Sequence, residues 1–218
     1  MNLFALLGLG LVLGIRHATD PDHVVAVATI TSRTRRWLPA AAIGAVWGLG
    51  HTLTLFVAGA LIILLNLTIP PRVGLALEFA VALALISVGA FNLGHRHAAP
   101  ARSGDGVPLP AGRAFGVGLV HGLAGSAAVA LLVLSLIRDP RWACGYLLLF
   151  GAGTVLGMML VTTGFAIPLS AASRRWPRFE RGARVATGAA SVAFGVWLVW
   201  QIGFVDGLFT SAPKWTPH

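Results

Sequence analysis

Apolar positions run along this chain in long blocks instead of alternating with polar ones. Six blocks fall at roughly 3–31, 38–66, 73–94, 114–137, 143–169 and 183–204. Each is long enough to cross a hydrocarbon core of ~30 Å as a helix rising 1.5 Å per residue. Pro39 suits the first turn of the second helix and Pro70-Pro71 closes it, because proline lacks the N–H that a helix interior needs. The one long break, between His95 and Arg113, is rich in Pro, Gly, Ala and Arg and reads as a flexible loop.

The loop divides two halves that resemble each other at an offset of about 104 residues. Gly14-Ile15-Arg16-His17 matches Gly118-Leu119-Val120-His121, and Ser87-Val88 matches Ser191-Val192. With one residue of slippage, Trp47-Gly48-Leu49-Gly50-His51-Thr52 aligns with Phe150-Gly151-Ala152-Gly153-Thr154. Three matches in one order predict an internal repeat, and an odd number of helices per half turns the second half upside down. The expected fold is therefore an all-α polytopic membrane protein of six transmembrane helices in two inverted three-helix repeats. The repeats would occupy 1–94 and 114–204, with a cytoplasmic linker at 95–113 and an external C-terminal tail at 205–218.

Composition agrees with a bilayer environment. Hydrophobic residues make up 56% of the 218, charged ones only 11%, and the mean hydropathy is +0.82; a soluble domain carries about 25% charged residues. The net charge of +9 does not mark a nucleic-acid partner, since the arginines sit in polar breaks and form no contiguous basic face. Eleven of them lie in the loops after spans 1, 3 and 5, against four basic residues on the other side, which places the first set in the cytoplasm and both termini outside. This orientation expects a multi-pass protein of the plasma (inner) membrane. The run from Leu3 to Ile15 lacks a basic leader and a small-residue cleavage site, so it is expected to stay in the mature protein. Cys144, the single cysteine, permits neither a disulfide within the chain nor a thiol-based metal cluster.

An ionisable side chain at the centre of a membrane helix costs about 2.5–3.5 kcal/mol. The first span nevertheless holds Arg16, His17, Asp20, Asp22 and His23 near its middle. On a continuous α-helix His17, Asp22 and His23 would point in three directions, whereas Arg16, Asp20 and His23 share a face. Pro21 disfavours α geometry at Asp20 and predicts a helix broken at this motif, whose imidazoles, carboxylates and freed carbonyls converge on a cation. Imidazoles with a carboxylate suit Ni²⁺, Co²⁺, Zn²⁺ or Cu²⁺, whereas Mg²⁺ and Ca²⁺ call for oxygen ligands. The plainer alternative is a structural ion-pair cluster of Arg16 and Asp20 with His17 as a satisfied core residue. His51, in the second span, and His121, the repeat partner of His17, are further candidate ligands. Arg16, Asp20, Thr52, Ser126 and Thr154 are candidates for lining the path or supporting the ligands, with helix packing the alternative for Thr154. Gly10-x-x-x-Gly14, Gly118-x-x-x-Gly122 and Gly153-x-x-x-Gly157 read as close helix contacts. Glu78 either guides cations inward or pairs with a neighbour, and His95 and His97 read as solvated loop residues.

The segment Arg16-His17-Ala18-Thr19-Asp20-Pro21-Asp22-His23 resembles the His-x4-Asp-His signature of the nickel/cobalt transporter family, and Leu49-Gly50-His51-Thr52 is similar to a second element of that family. The main branch has eight spans and an acidic motif in its second half. With six spans and His121-Gly122-Leu123-Ala124-Gly125-Ser126 in its place, this chain looks like the shorter permeases associated with urease or nickel-enzyme gene clusters. The resemblance implies that His17, Asp22, His23 and His51 select and move Ni²⁺ or Co²⁺.

These readings together expect a permease, not an enzyme, moving Ni²⁺ first and Co²⁺ next through a midplane site of His17, Asp22, His23, His51 and His121. The metal is substrate and no cofactor is expected. The partners expected are the divalent ion, the lipid bilayer and a cytoplasmic metallochaperone or nickel-enzyme maturation system. Neutral imidazole is required for ligation, so transport should weaken at acidic pH. Three rival classes stay open: an exporter of an organic or sulfur-oxide anion carried on Arg16, an intramembrane metalloenzyme, and a subunit that only docks a metallochaperone.

Overall fold

The computed structural model describes residues 3–32, 36–65, 70–94, 111–122, 137, 139–175 and 177–215. Ser126, His95, His97, most of the linker and the second half of the fourth expected span lie outside them. The described residues form helices α1 (Leu3–His17), α2 (Pro21–Thr31), α3 (Trp37–Leu65), α4 (Pro71–Gly94), α5 (Ala111–Gly122), α6 (Pro140–Arg175) and α7 (Pro177–Trp200), and no strand. A five-residue π-helix, Gln201–Val205, continues α7. Among the described residues, four segments are long and apolar enough to cross a bilayer: Trp37–Leu61, Pro71–Gly94, Arg141–Ala172 and Arg181–Val205.

The first expected span is two half-helices. Its break follows from Pro21, which occupies the first turn of α2 and leaves Asp20 extended at φ −60°, ψ 146°. The Arg16 carbonyl at the end of α1 is met by the Thr19 N–H at 2.8 Å and the Thr19 hydroxyl at 2.6 Å, so the interruption leaves few backbone groups unsatisfied.

Along α3 the two faces separate cleanly. Leu49, Leu53, Val57 and Leu61 form an exposed apolar stripe, as a lipid-facing surface requires, while Trp47, His51 and Leu55 are buried on the other side. The helices close on each other through glycine. Gly14 of α1 lies against the Phe150 carbonyl of α6, and Gly153 of α6 against the Leu11 carbonyl of α1. On the opposite flank Gly118 of α5 lies against the Trp47 carbonyl of α3, and Gly50 of α3 against the Phe115 carbonyl of α5. Between α3 and α6, Gly48 meets Val155 and Gly151 meets Thr52.

A methyl group at Gly14 or Gly118 would strike backbone, which cannot turn aside as a side chain can. Gly14→Ala and Gly118→Ala are therefore expected to destabilise the protein by roughly 1–3 kcal/mol. Gly8→Ala and Gly116→Ala, with nothing within 4 Å, should be neutral or slightly stabilising. Thermal unfolding in detergent separates the two pairs.

Within the expected C-terminal tail, residues 206–215 pack back on the start of α4. Gly207, at φ +83°, makes the turn that a side chain would strain. The Lys214 N–H then bonds to the Asp206 carbonyl at 2.8 Å, and the Trp215 ring covers Gly74.

Candidate metal centre

Three elements deliver the imidazoles. His17 is the last residue of α1, His23 lies in the first turn of α2, and His51 is on the buried face of α3. The helix break brings the first two together: their ring centroids are 4.7 Å apart, with His51 at 4.9 Å from His17 and 5.1 Å from His23. One ligand nitrogen from each of the three lies within 4.8 Å of the others. A metal held at about 2.0–2.1 Å in a tetrahedral set spaces its ligand nitrogens about 3.4 Å apart, a small adjustment from the 2.9 Å between His17 Nε2 and His51 Nε2. His121, from α5, is fully buried with its ring 5.4 Å from that of His23.

Each aspartate serves a different histidine. Asp20 Oδ2 accepts from His17 Nδ1–H at 2.8 Å, and Asp22 Oδ1 from His23 Nδ1–H at 3.0 Å. A carboxylate on Nδ1 fixes the tautomer and leaves Nε2 with its lone pair available, the arrangement that supports metal-bound histidines. His17 Nε2 is then an acceptor, so the hydrogen bond of 2.9 Å to His51 Nε2 is donated by His51. His23 Nε2, His51 Nδ1 and both ring nitrogens of His121 are buried without a hydrogen-bond partner among the described residues. Buried polar atoms are rarely left so, and the free lone pair of His23 Nε2 suits a cation, to which each imidazole can offer one nitrogen.

The backbone adds to this field. The C-terminus of α1, negative in its dipole, ends at His17, where a cation would sit, and the positive N-terminus of α2 faces Asp20 and Asp22. Trp47 closes the site, stacked on His23 at 5.9 Å and set edge-on to His121 at 5.3 Å, while the Phe150 ring lies 5.5 Å from that of His17. The sequence offered no chemical signal for either aromatic; both stood out only as repeat-matched positions.

The threonine hydroxyls are bonded to backbone carbonyls. Thr52 donates its hydroxyl to the Gly151 carbonyl across α3 and α6 at 3.2 Å, and Thr154 to the Phe150 carbonyl of its own helix at 3.0 Å. Arg16 is exposed at the end of α1. A polar junction the sequence reading missed is Asn92, whose amide donates to the carbonyls of Thr29 and Arg184 and to the Ser32 hydroxyl.

No known protein-family profile matches the chain, and no solved structure matches it. Among curated proteins, the urease accessory protein UreH of Bacillus sp. (strain TB-90) is 36% identical over 223 residues, covering 96% of both chains. Two chloroplast proteins of Arabidopsis thaliana, FOR GROWTH AND FERTILITY 1 and 2, are 24% and 26% identical over 87% of this chain. The chain spans only 57% and 55% of their lengths. At its identity and coverage the chain belongs to the family of the urease accessory protein UreH, the short urease-associated branch of nickel/cobalt transporter-type proteins that the His17–His23 segment resembles.

Proposed function

We propose that the protein is a secondary permease for Ni²⁺, with Co²⁺ the next substrate, and that the ion crosses through His17, His23 and His51 with Asp22 and His121. The observation that carries this is the convergence of three buried imidazoles from three helices, two of them held at Nδ1 by carboxylates. A set dominated by imidazoles around a half-helix break suits a borderline transition metal that must bind and then leave. The relationship to UreH adds a role in supplying a nickel enzyme, with a metallochaperone or maturation factor as the receiving partner.

Six spans in two inverted repeats are part of this reading. Support comes from contacts that recur at the repeat offset. Gly14 and Gly118 are 104 positions apart and Phe150 and Trp47 are 103 apart, and each glycine meets the carbonyl of the corresponding aromatic. The Gly153–Leu11 and Gly50–Phe115 contacts correspond in the same way. Rocking one repeat against the other would then expose the centre to either side. With the arginine-rich loops in the cytoplasm, an inside-negative potential of 100 mV favours inward movement of a divalent ion by about 4.6 kcal/mol, so uptake is the favoured direction.

The test is Ni²⁺ flux into liposomes containing only this protein under an imposed inside-negative potential. Flux above empty vesicles that grows with the potential is the expected result. Transport of a sulfur-oxide anion that survives His23→Ala and is lost in Arg16→Ala would replace the metal reading with an anion exporter.

A further inference from the structure

Three of the four imidazoles ride on helices seated by glycine contacts, and the fourth does not. Gly14 and Gly153 seat α1 against α6, while Gly50, Gly118 and Gly122 seat α3 and α5 against each other, with Gly122 meeting the His51 carbonyl. The helix that carries Asp22 and His23, α2, contains no glycine and is parted from α1 by the extended backbone at Asp20. The register of α1 therefore does not set that of α2. A helix that slips by one residue along its neighbours moves each side chain by about 1.5 Å and turns it by about 100°. For His23 that is enough to take the ring out of the cluster.

The far end of α2 is tied down by a buried polar junction. Asn92 of α4 shares its amide hydrogens among the Thr29 carbonyl at 3.3 Å, the Ser32 hydroxyl at 3.2 Å and the Arg184 carbonyl of α7 at 3.2 Å. The Thr29 hydroxyl bonds to the Thr187 carbonyl of α7 at 3.1 Å as well as to the Val25 carbonyl of its own helix at 2.8 Å. Ser32 donates to the Thr29 carbonyl at 2.7 Å. That carbonyl belongs to the last turn of α2, where a helix leaves its acceptors unused, so the junction satisfies α2 while joining it to two other helices. Thr29, Ser32 and Asn92 are all buried, and hydrogen bonds hold more strongly there than in water.

The anchor itself is firm. Gly89 of α4 meets the Gly188 carbonyl of α7, Gly195 meets the Ala82 carbonyl, and Ser191 donates to the Leu85 carbonyl at 2.8 Å. Thr29 lies six residues along α2 from His23, about 9 Å at 1.5 Å per residue. A bond from Thr29 to α7 and another to it from α4 fix both the rotation of α2 and its position along its axis.

We propose that Asn92 is a positioning residue for the metal centre: by tying the far end of α2 to α4 and α7, it sets the register of α2 and holds His23, with Asp22 bonded to it, against His17, His51 and His121. This role rests on the reading of the histidine cluster as a metal centre. Asn92 touches no ion. It acts through the one helix of the site whose placement is otherwise unsecured, and misplacing a ligand by about 1 Å from a distance can be as costly as altering its immediate support.

The experiment compares the full chain in nanodiscs with Asn92→Leu, which removes the amide, and Thr29→Val, which removes one hydroxyl and keeps the shape. Thr29→Val carries the test should Asn92→Leu fail to fold. Ser191→Ala, which breaks a buried bond between α4 and α7 without touching α2, is the control, and Thr29→Ser restores the hydroxyl. Amide hydrogen exchange without metal reports on α2, and visible absorption of added Co²⁺ reports on the nitrogen-ligated site. Both variants should speed exchange within α2 and weaken the absorbing Co²⁺ equivalent about tenfold or more. In Ni²⁺ flux they should raise the half-saturating concentration by about the same factor with little change in maximal rate. Thr29→Ser and Ser191→Ala should bind Co²⁺ as the wild type does. Unchanged α2 exchange in both variants, wild-type Co²⁺ affinity in both, or an equal loss in Ser191→Ala overturns the positioning role. Faster α2 exchange in the variants of a protein whose wild type gives no absorbing equivalent upholds the anchoring of α2 and counts against the histidine centre alone.

Discussion

Replacing His23 with alanine is expected to abolish Ni²⁺ flux and to weaken Co²⁺ binding at the absorbing site by more than about 100-fold. Loss of a residue that merely supports a metal ligand costs 10–100-fold, and His23 is placed as a ligand itself. Its ring is fully buried, is 4.7 Å from His17, 5.1 Å from His51 and 5.4 Å from His121, and is the one imidazole within ring-contact range of all three others. Removing it takes away the nitrogen at the centre of the cluster and leaves Asp22 without its nearest donor. Helical circular dichroism and a monodisperse elution profile would show that the variant folds. Trp47→Phe, which keeps an aromatic wall against His23, should retain most of the flux. A folded His23→Ala protein that transports at half the wild-type rate would remove His23 from the path and with it the proposed centre.

The second large effect is expected from the carboxylates, and it is unequal. Asp22→Asn should weaken Co²⁺ binding by about 10–100-fold, because asparagine can still accept from His23 Nδ1–H but no longer contributes negative charge beside the ion. Asp20→Asn should do less. The Asp22 side chain is 15% exposed and that of Asp20 33%, so water screens Asp20 more effectively. Competition titrations against a chelator of known affinity measure both. Equal losses, or none in Asp22→Asn, would mean that the hydrogen bonds to Nδ1 fix geometry alone.

The structure also clarifies a division of labour that the spacing left open. On an unbroken helix Arg16, Asp20 and His23 would share a face and His17 would point away. The chain stops its helix at His17 and restarts it at Pro21, and the intervening turn rotates α2 so that His17 and His23 meet. Each aspartate thus accepts from a different imidazole, Asp20 from His17 and Asp22 from His23. The glycines act at a different level. They bring α1 to α6 and α5 to α3 closely enough for His17 and His121 to reach the same interior.

Local chemistry made much of this legible from residues alone. Apolar length marked the helices, since a membrane segment must satisfy its backbone internally whatever surrounds it. Pro21 marked the break through sterics confined to two residues, and the histidines were conspicuous because ionisable groups are costly in apolar helices. The contacts between distant elements were not legible. Trp47 and Phe150 looked like ordinary apolar residues until they faced His23 and His17. The hydroxyls of Thr52 and Thr154 turned out to be bonded to backbone, and Glu78 and Asp206 stand 128 positions apart in sequence yet line one cavity. Hydropathy and proline act within a turn or two of the chain. Which carboxylate meets which imidazole, and which acids gather at one opening, depends on how whole helices cross, and that is set by packing among residues far apart in the sequence.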